Sequence, residues 1–384
     1  GVISATGNAD GNGFGVFKYA PPSGFLAMCS ANLPTSDDID PAQTDDNYPS
    51  KQFEALAYTG TGSSNAVTGL GFQPDLVWIK NRSGTQGAKL TDSSRGVTKV
   101  LQSATTSSES TDSNGLTAFG SDGFTVGSDA GYNGSSNNMI AWCWRANGGT
   151  TASNSSGAIT STVQSNQASG FSIVQWTANA TSSVATTVGH GLSKAPEFVI
   201  TKSRDSAGNW CVTHTGLSST SHMLFLNSSG AETDKSGNGS MSANTSTVFS
   251  VNATDGSNAP NNDNMIAYCW HSVEGMQKFG SFEGNANNDG PFIYTGFRPR
   301  MVFIKSVDTT APWLVWDTAR NTFNPANKGL AWNDSAAESD YTGYPADILS
   351  NGFKLRSSNA TINASGTWIY GAWGDVPFKY NNTF

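Results

Sequence analysis

The chain repeats itself three times, and this limits its architecture more than any other feature. "GLGFQPDLVWIKNR" (69–82), "GHGLSKAPEFVITKSR" (189–204) and "TGFRPRMVFIKSVD" (295–308) share the pattern P-x-[LMF]-V-x-x-K. Downstream landmarks keep register. Pro74 stands 6 residues before Lys80, 50 before Phe124 and 70 before Trp144; Pro299 stands 6 before Lys305, 54 before Phe353 and 74 before Trp373. The more diverged middle copy runs from Pro196 to Lys202, Phe249 and Trp270 at 6, 53 and 74. Repetition at this period is the mark of a repeated supersecondary unit.

Each landmark has a local physical meaning. The proline starts a strand where no ladder N–H is needed, the apolar run after it is buried on both faces, and the lysine ends the strand at solvent. "MIAWCW" (139–144), "MIAYCW" (265–270) and "WIYGAW" (368–373) form the closing strand. With a period of two, Ala141 and Cys143 share one face, and Trp142 and Trp144 the other. "SDGF" and "SNGF" are turns, with Gly123 and Gly352 supplying a left-handed residue. The only helical candidate is the short "SRGVTKVLQSA" (94–104).

Composition agrees with strands joined by many turns. Charged residues are 13% and aromatics 11% of the chain, which carries 42 glycines. The expected fold is all-β: three tandem homologous β-sandwich, jelly-roll-like domains at 52–147, 169–274 and 277–384. An N-terminal exit segment with an acidic linker occupies 1–51, and "ANGGTTASNSSGAITSTVQSN" (146–166) gives a flexible linker over 148–168.

Several functional classes are excluded or weakened. A formal charge of −8 without a basic run argues against nucleic acid and anionic lipid. No apolar stretch nears the roughly 20 residues needed to cross a bilayer, and no signal-peptide pattern opens the chain. Cys29, Cys143, Cys211 and Cys269 form no CxxC pair, and His190, His214, His222 and His271 are scattered, so no zinc spacing appears. Cys143 and Cys269 align with Ala372, which marks a demand for small volume. The cysteines read as reduced, small apolar residues.

Asp92, His214 and Asp317 share one repeat position, in "DSSR", "WCVTHTGL" and "WLVWDTAR". A catalytic carboxylate does not accommodate that histidine, so the position reads as a capped polar turn with Arg95 or Arg320 nearby. Glu109, Glu232 and Glu338 also recur and read as structural. "NADGNG" (8–13) and "NANNDG" (285–290) are oxygen-rich but lack EF-hand spacing, and N-x-S/T triplets follow from composition.

A resemblance extends over nearly the whole chain. "FKYAPPSGFLAMCSANLP" (17–34) is similar to a segment of tail fibre and other virion proteins of tailed bacteriophages, notably of marine phages, where it follows a SPRY or concanavalin-like sandwich. "YTGTGSSNAVTGLGFQPDLVWIKNRS", "SDGFTVGS", "AWCW", "WDTARN", "LSNGFKLR" and "WIYGAWGDVPFKY" resemble the repeated module of those proteins. The resemblance implies a virion structural protein, a tail fibre or appendage that trimerises, contacts other virion proteins and is made in the host cytoplasm, with a domain upstream of Gly1. It carries no nucleophile or acid pair.

The leading expectation is therefore a non-enzymatic appendage that displays domains to a host-surface glycan or protein. A capsid decoration or head fibre, a polysaccharide depolymerase and a cellular adhesin are the alternatives. No G-x-S-x-G, H-E-x-x-H, P-loop or dinucleotide signature occurs, and no catalytic, cofactor-binding or metal-ligating residue is assigned. An indole face stacks on sugar C–H surfaces. Trp78, Trp144, Trp270 and Trp373 read as core, which leaves Trp210, Trp313, Trp316 and Trp332 as the tryptophans near turns.

Overall fold

The computed structural model describes residues 7–28, 32, 45–179, 185–236, 242–253, 256–340 and 343–374. Cys29, most of the acidic linker and the final segment lie outside the described residues. The chain divides into a small N-terminal unit ending at Asp46 and a large unit that begins at Asn47 and holds all three repeats. In the N-terminal unit, the antiparallel bridge Asn8–Phe17 is the ladder contact seen among the described residues.

The first copy contributes β1 (Phe53–Thr59), β2 (Asn65–Thr68), β3 (Leu76–Asn81), β4 (Lys89–Asp92), β5 (Lys99–Gln102), β6 (Ser110–Thr111), β7 (Leu116–Gly120), β8 (Gly123–Val126) and β9 (Asn138–Trp144). They form a large sheet β1-β9-β3-β4-β5-β6 and a small sheet β2-β8-β7. The second copy adds β10 (Ala152–Asn154), β11 (Ser161–Asn166), β12 (Phe171–Thr177), β13 (Thr186–Gly189), β14 (Phe198–Ser203), β15 (Cys211–His214), β16 (His222–Phe225), β17 (Thr233–Asp234), β18 (Val248–Val251) and β19 (Asn264–Trp270). Its large sheet repeats the order as β12-β19-β14-β15-β16-β17, and β13-β18 form the small one. The third copy runs β20 (Gln277–Gly284), β21 (Phe292–Tyr294), β22 (Pro299–Ser306), β23 (Leu314–Asp317), β24 (Lys328–Ala331), β25 (Ser339–Asp340), β26 (Ala346–Leu349), β27 (Gly352–Leu355) and β28 (Gly366–Gly374). Here the sheets are β20-β28-β22-β23-β24-β25 and β21-β27-β26. The fold is all-β, and each copy is a two-layer sandwich.

The alternation in the closing strands sorts residues between two kinds of core. Met139, Ala141 and Cys143 face the first copy's own small sheet, with Val67, Phe124 and Val126. Ile140, Trp142 and Trp144 face the other way, into a core that all three copies share. Trp144, Trp270 and Trp373 meet there, with ring centroids 5.8, 5.5 and 6.1 Å apart and planes near perpendicular. Burying one such ring removes roughly 150–250 Å² from water, about 4–6 kcal/mol gross. A single hydrogen bond nets about 1 kcal/mol, so this axis outweighs any one polar contact between copies. The indole N–H groups of these three rings have no hydrogen-bond partner, and edge-to-face packing offers each a neighbouring ring face instead.

Four expectations about the fold change, besides that of the lysines. The repeats are not beads on a string, because their large sheets close around one common core. Segment 148–168 is not a flexible linker: β10 and β11 extend the second copy's large sheet at its β12 edge. Residues 94–104 form a turn and strand β5 rather than a helix, because Val100 and Leu101 are drawn into the sheet. The four-residue helices are instead Ala130–Asn133 and Ala360–Asn363, capped by Asp129 and Asn359.

The fourth change concerns Gly352, whose φ is not left-handed; Gly123 has φ +155°. Both are needed for close approach, since a Cβ would strike the carbonyl of Val67 at Gly123 and of Ile293 at Gly352.

Candidate functional site

The repeated lysines do not reach solvent. Lys80, Lys202 and Lys305 are at most 1% exposed. Each ammonium lies at a seam and crosses to the next copy. Lys80 Nζ donates to the carbonyls of Asn81 and Gln86 at 3.0 and 2.8 Å and to Ser335 of the third copy at 2.9 Å. Lys202 Nζ donates to Ser206 and to Thr106 of the first copy, both at 3.2 Å. Lys305 Nζ donates to Ser306 at 2.7 Å and to Ser229 of the second copy at 3.3 Å. The apolar run buried on both faces needed a second layer, and the neighbouring repeat supplies it, covering the strand end as well. Burial pulls each lysine down to about 8, still protonated at neutral pH.

The recurring acids occupy the same seams. Between copies 1 and 2, Asp92 pairs with Arg95 and accepts from Tyr268 Oη at 2.7 Å. Glu109 bridges Arg95 and Arg204 at 3.1 and 3.0 Å, and its N–H donates to the Arg204 carbonyl. Between copies 3 and 1, Asp317 pairs with Arg320 at 2.6 Å and accepts from Trp142 Nε1 at 3.1 Å. Glu338 bridges Arg320 and Arg82 at 2.9 and 2.7 Å. Burial raises both glutamates, but the arginine hydrogen bonds and charges outweigh it and hold them below the ordinary carboxylate value.

The seam between copies 2 and 3 uses no such knot. Leu217 stands where Arg95 and Arg320 do, and Val307 where Arg82 and Arg204 do. His214 replaces the aspartate: its Nδ1 accepts from Gly216 N at 3.0 Å and its Nε2–H donates to the Tyr370 carbonyl at 3.2 Å. Burial pushes this imidazole down to about 3, so it is neutral. Gly371 takes the place of Trp142 and Tyr268, and a Cβ there would strike Phe303 and meet Phe279 at 2.9 Å. The Phe279 and Phe303 rings thus fill the volume an indole or phenol fills elsewhere.

Glu232, without arginines, accepts from Ser218 N at 3.1 Å and lies 3.8 Å from His222 Nε2, while His222 Nδ1 is 2.7 Å from Ser219 Oγ. Ser219 and His222 line a cavity of about 370 Å³ together with Glu197, His214 and Leu217, while Glu232 is not part of its lining. The geometry is that of a capped turn: Ser219 and His222 are three residues apart and Ser219 Oγ accepts from Ser221 N at 3.2 Å.

Other candidates resolve the same way. Trp210, Trp313, Trp316 and Trp332 are all at most 1% exposed, so none offers a face to a sugar. Trp210 and Trp313 donate across seams to the carbonyls of Gln102 and Phe225, both at 3.0 Å, and Trp332 stacks on Trp78 at 4.3 Å. Cys143 and Cys269 are buried free thiols whose burial raises their pKa, the opposite of an activated nucleophile.

The oxygen-rich loops are turns. Asp10 accepts from the N–H groups of Asn12, Phe14 and Ala27, and Asn285 and Asn287 cap their own loop. No group of three His, Cys, Asp or Glu side chains suited to a metal occurs among the described residues.

Sequence reasoning missed Asp75. This buried carboxylate accepts from Ser93 Oγ, Ala146 N, Gly148 N and Gly149 N at 2.6 to 3.0 Å and latches the turn that leads to β10. Burial raises its pKa against those four donors. The adjacent "NGG" was the available signal, since such a turn leaves backbone N–H groups in need of an acceptor.

No curated protein and no solved structure matches the chain. Residues 48–377 match the model of a family described as a domain of unknown function (DUF7483), a span that coincides with the large unit and takes in all three repeats. The chain belongs to that family.

Proposed function

We propose that the chain is a non-enzymatic structural protein of a phage virion, a tail fibre or appendage component that presents a rigid body for host-surface attachment. The observation that carries the non-catalytic part is the fate of the repeated polar residues. The polar residues that recur in register are engaged at the seams: the lysines by backbone carbonyls of the next copy, the aspartates by arginines of their own copy, and Glu109 and Glu338 by arginines of two copies. The virion part rests on the likeness of the repeat motifs to tail fibre modules. A threefold core is already closed within one chain, so oligomerisation in this reading uses faces outside that core. Other virion proteins and a host-surface glycan or protein are the partners.

The test is cryo-electron microscopy of native particles with mass spectrometry of their proteins. Density for this body at the tail is expected. Density on the capsid lattice would make it a head decoration, and absence from particles would end the virion reading.

A further inference from the structure

The outer face of the third copy's small sheet differs from its counterparts. On edge strand β21, Ile293 points into the core while Phe292 and Tyr294 are 45% and 58% exposed. The same strand in the first copy, β2, buries Val67 and exposes Ala66 and Thr68; in the second, β13 buries Val188 between Thr187 and Gly189. The two other copies thus act as internal controls: the fold needs the inward residue and does not need outward rings.

The cross-strand register completes the face. Phe292 lies opposite Lys354, which lies opposite Asp347; Tyr294 lies opposite Gly352, which lies opposite Leu349. A Cβ on Gly352 would meet the Phe292 ring at 3.0 Å, so the ring lies close over this buried glycine and the absence of a side chain lets it do so. Lys278 Nζ sits 5.1 Å from the Tyr294 ring centroid, and Lys354 pairs with Asp289 at 2.8 Å. Two half-exposed rings and charged hydrogen-bonding groups therefore adjoin one another at the surface.

We propose that this face binds an oligosaccharide, with a sugar ring stacked on Tyr294 and Phe292 and its hydroxyls taken by Lys278, Lys354 and Asp347. The inference rests on the attachment reading for its biological sense but not for its chemistry. The polarised C–H faces of sugars suit the negative faces of aromatic rings, and charged side chains suit hydroxyls. Size argues against a protein partner. Two rings about half exposed offer roughly 200 Å² together, against the ~800 Å² per partner of a stable protein interface. A three-residue edge strand is also too short to template an added strand effectively.

The experiment uses the purified full chain on an array of glucose, galactose, N-acetylglucosamine and uronic-acid oligosaccharides, then calorimetry with the strongest binder in solution. Binding is expected, weakened roughly tenfold or more in Phe292→Ala/Tyr294→Ala with an unchanged unfolding midpoint. Tyr294→Ser alone, at the more exposed ring, serves if the double variant is unstable, and should weaken binding severalfold. No binding across the array, or binding that these variants leave unaltered, overturns the proposal. Dimerisation lost in the same variants overturns it in favour of a self-contact. Because only purified chain is needed, binding by a protein absent from particles would end the virion reading alone. Failure to bind by a protein found on particles would end this proposal alone.

Discussion

Two of the three seams hold a buried knot of ion pairs and in the third the corresponding positions are neutral, although the same strands meet in all of them. Where copies 1 and 2 or 3 and 1 join, a buried aspartate, an arginine, a bridging glutamate and a second arginine form a chain of pairs. Where copies 2 and 3 join, histidine, leucine, valine and glycine occupy the corresponding positions, and the remaining glutamate turns to Ser218 and His222. Desolvation can offset the attraction of a buried ion pair, so a neutral set of matched shape serves as well, whereas losing one partner strands a charge. The difference teaches that these positions change as sets, with the shared aromatic core carrying most of the adhesion in every seam.

Breaking a set should have the largest effect. Arg95 and Asp92 side chains are both fully buried, so Arg95→Leu alone leaves a stranded carboxylate and should cost about 3–5 kcal/mol. Adding Asp92→His transplants the neutral seam's pair and should recover the greater part. Urea denaturation of the purified chain reads both values. A double variant no more stable than the single one would mean that the neutral seam does not work as a transferable set.

A smaller contrast sharpens the comparison at the glutamates. Glu109→Gln and Glu338→Gln each weaken contacts to two arginines and should lose about 1.5–3 kcal/mol. Glu232→Gln touches a serine turn and a distant imidazole and should lose less than about 1 kcal/mol. Thermal unfolding of the three variants in one buffer ranks them, and equal losses would show that the neutral seam still depends on its carboxylate.

Much of each copy was legible because the sandwich is specified locally. Proline-led apolar runs and the alternating "AWCW" strand have one reading each, and they place Cys143 and Trp144 on opposite faces, as found. What alternation cannot encode is the owner of the second buried face. An apolar face against a neighbouring repeat looks the same in sequence as one against the copy's own small sheet, so Lys80, Lys202 and Lys305 read as solvent ends when their acceptors lie up to 255 residues away. The stretch holding β10 and β11 is rich in Gly, Ser and Thr, and its pairing energy comes from the edge of β12 rather than from its own side chains. The aromatic face was not legible. Its exposure depends on which side of β21 the core lies.

A further effect separates the seams by acid. At His214 the folded pKa, about 3, lies below the unfolded value near 6.5. The native state stays neutral while the unfolded chain takes up a proton, so this contribution is whole above pH 6.5 and declines as pH falls toward 3. At pH 5.5 the decline is about 1.4 kcal/mol. Glu109 and Glu338, held below the ordinary glutamate value, begin to lose their contribution only below about 4.5 and through their lower folded pKa values. His190 and His271 are also depressed by burial and share the upper window, so the informative quantity is a difference between proteins. His214→Gln keeps a donor for the Tyr370 carbonyl and an acceptor for Gly216 N while removing the titration. Its stability between pH 7.5 and 5.5 should fall by about 1.4 kcal/mol less than that of the parent. Parallel curves would show that His214 is charged in the folded protein, and with it that the third seam is not neutral.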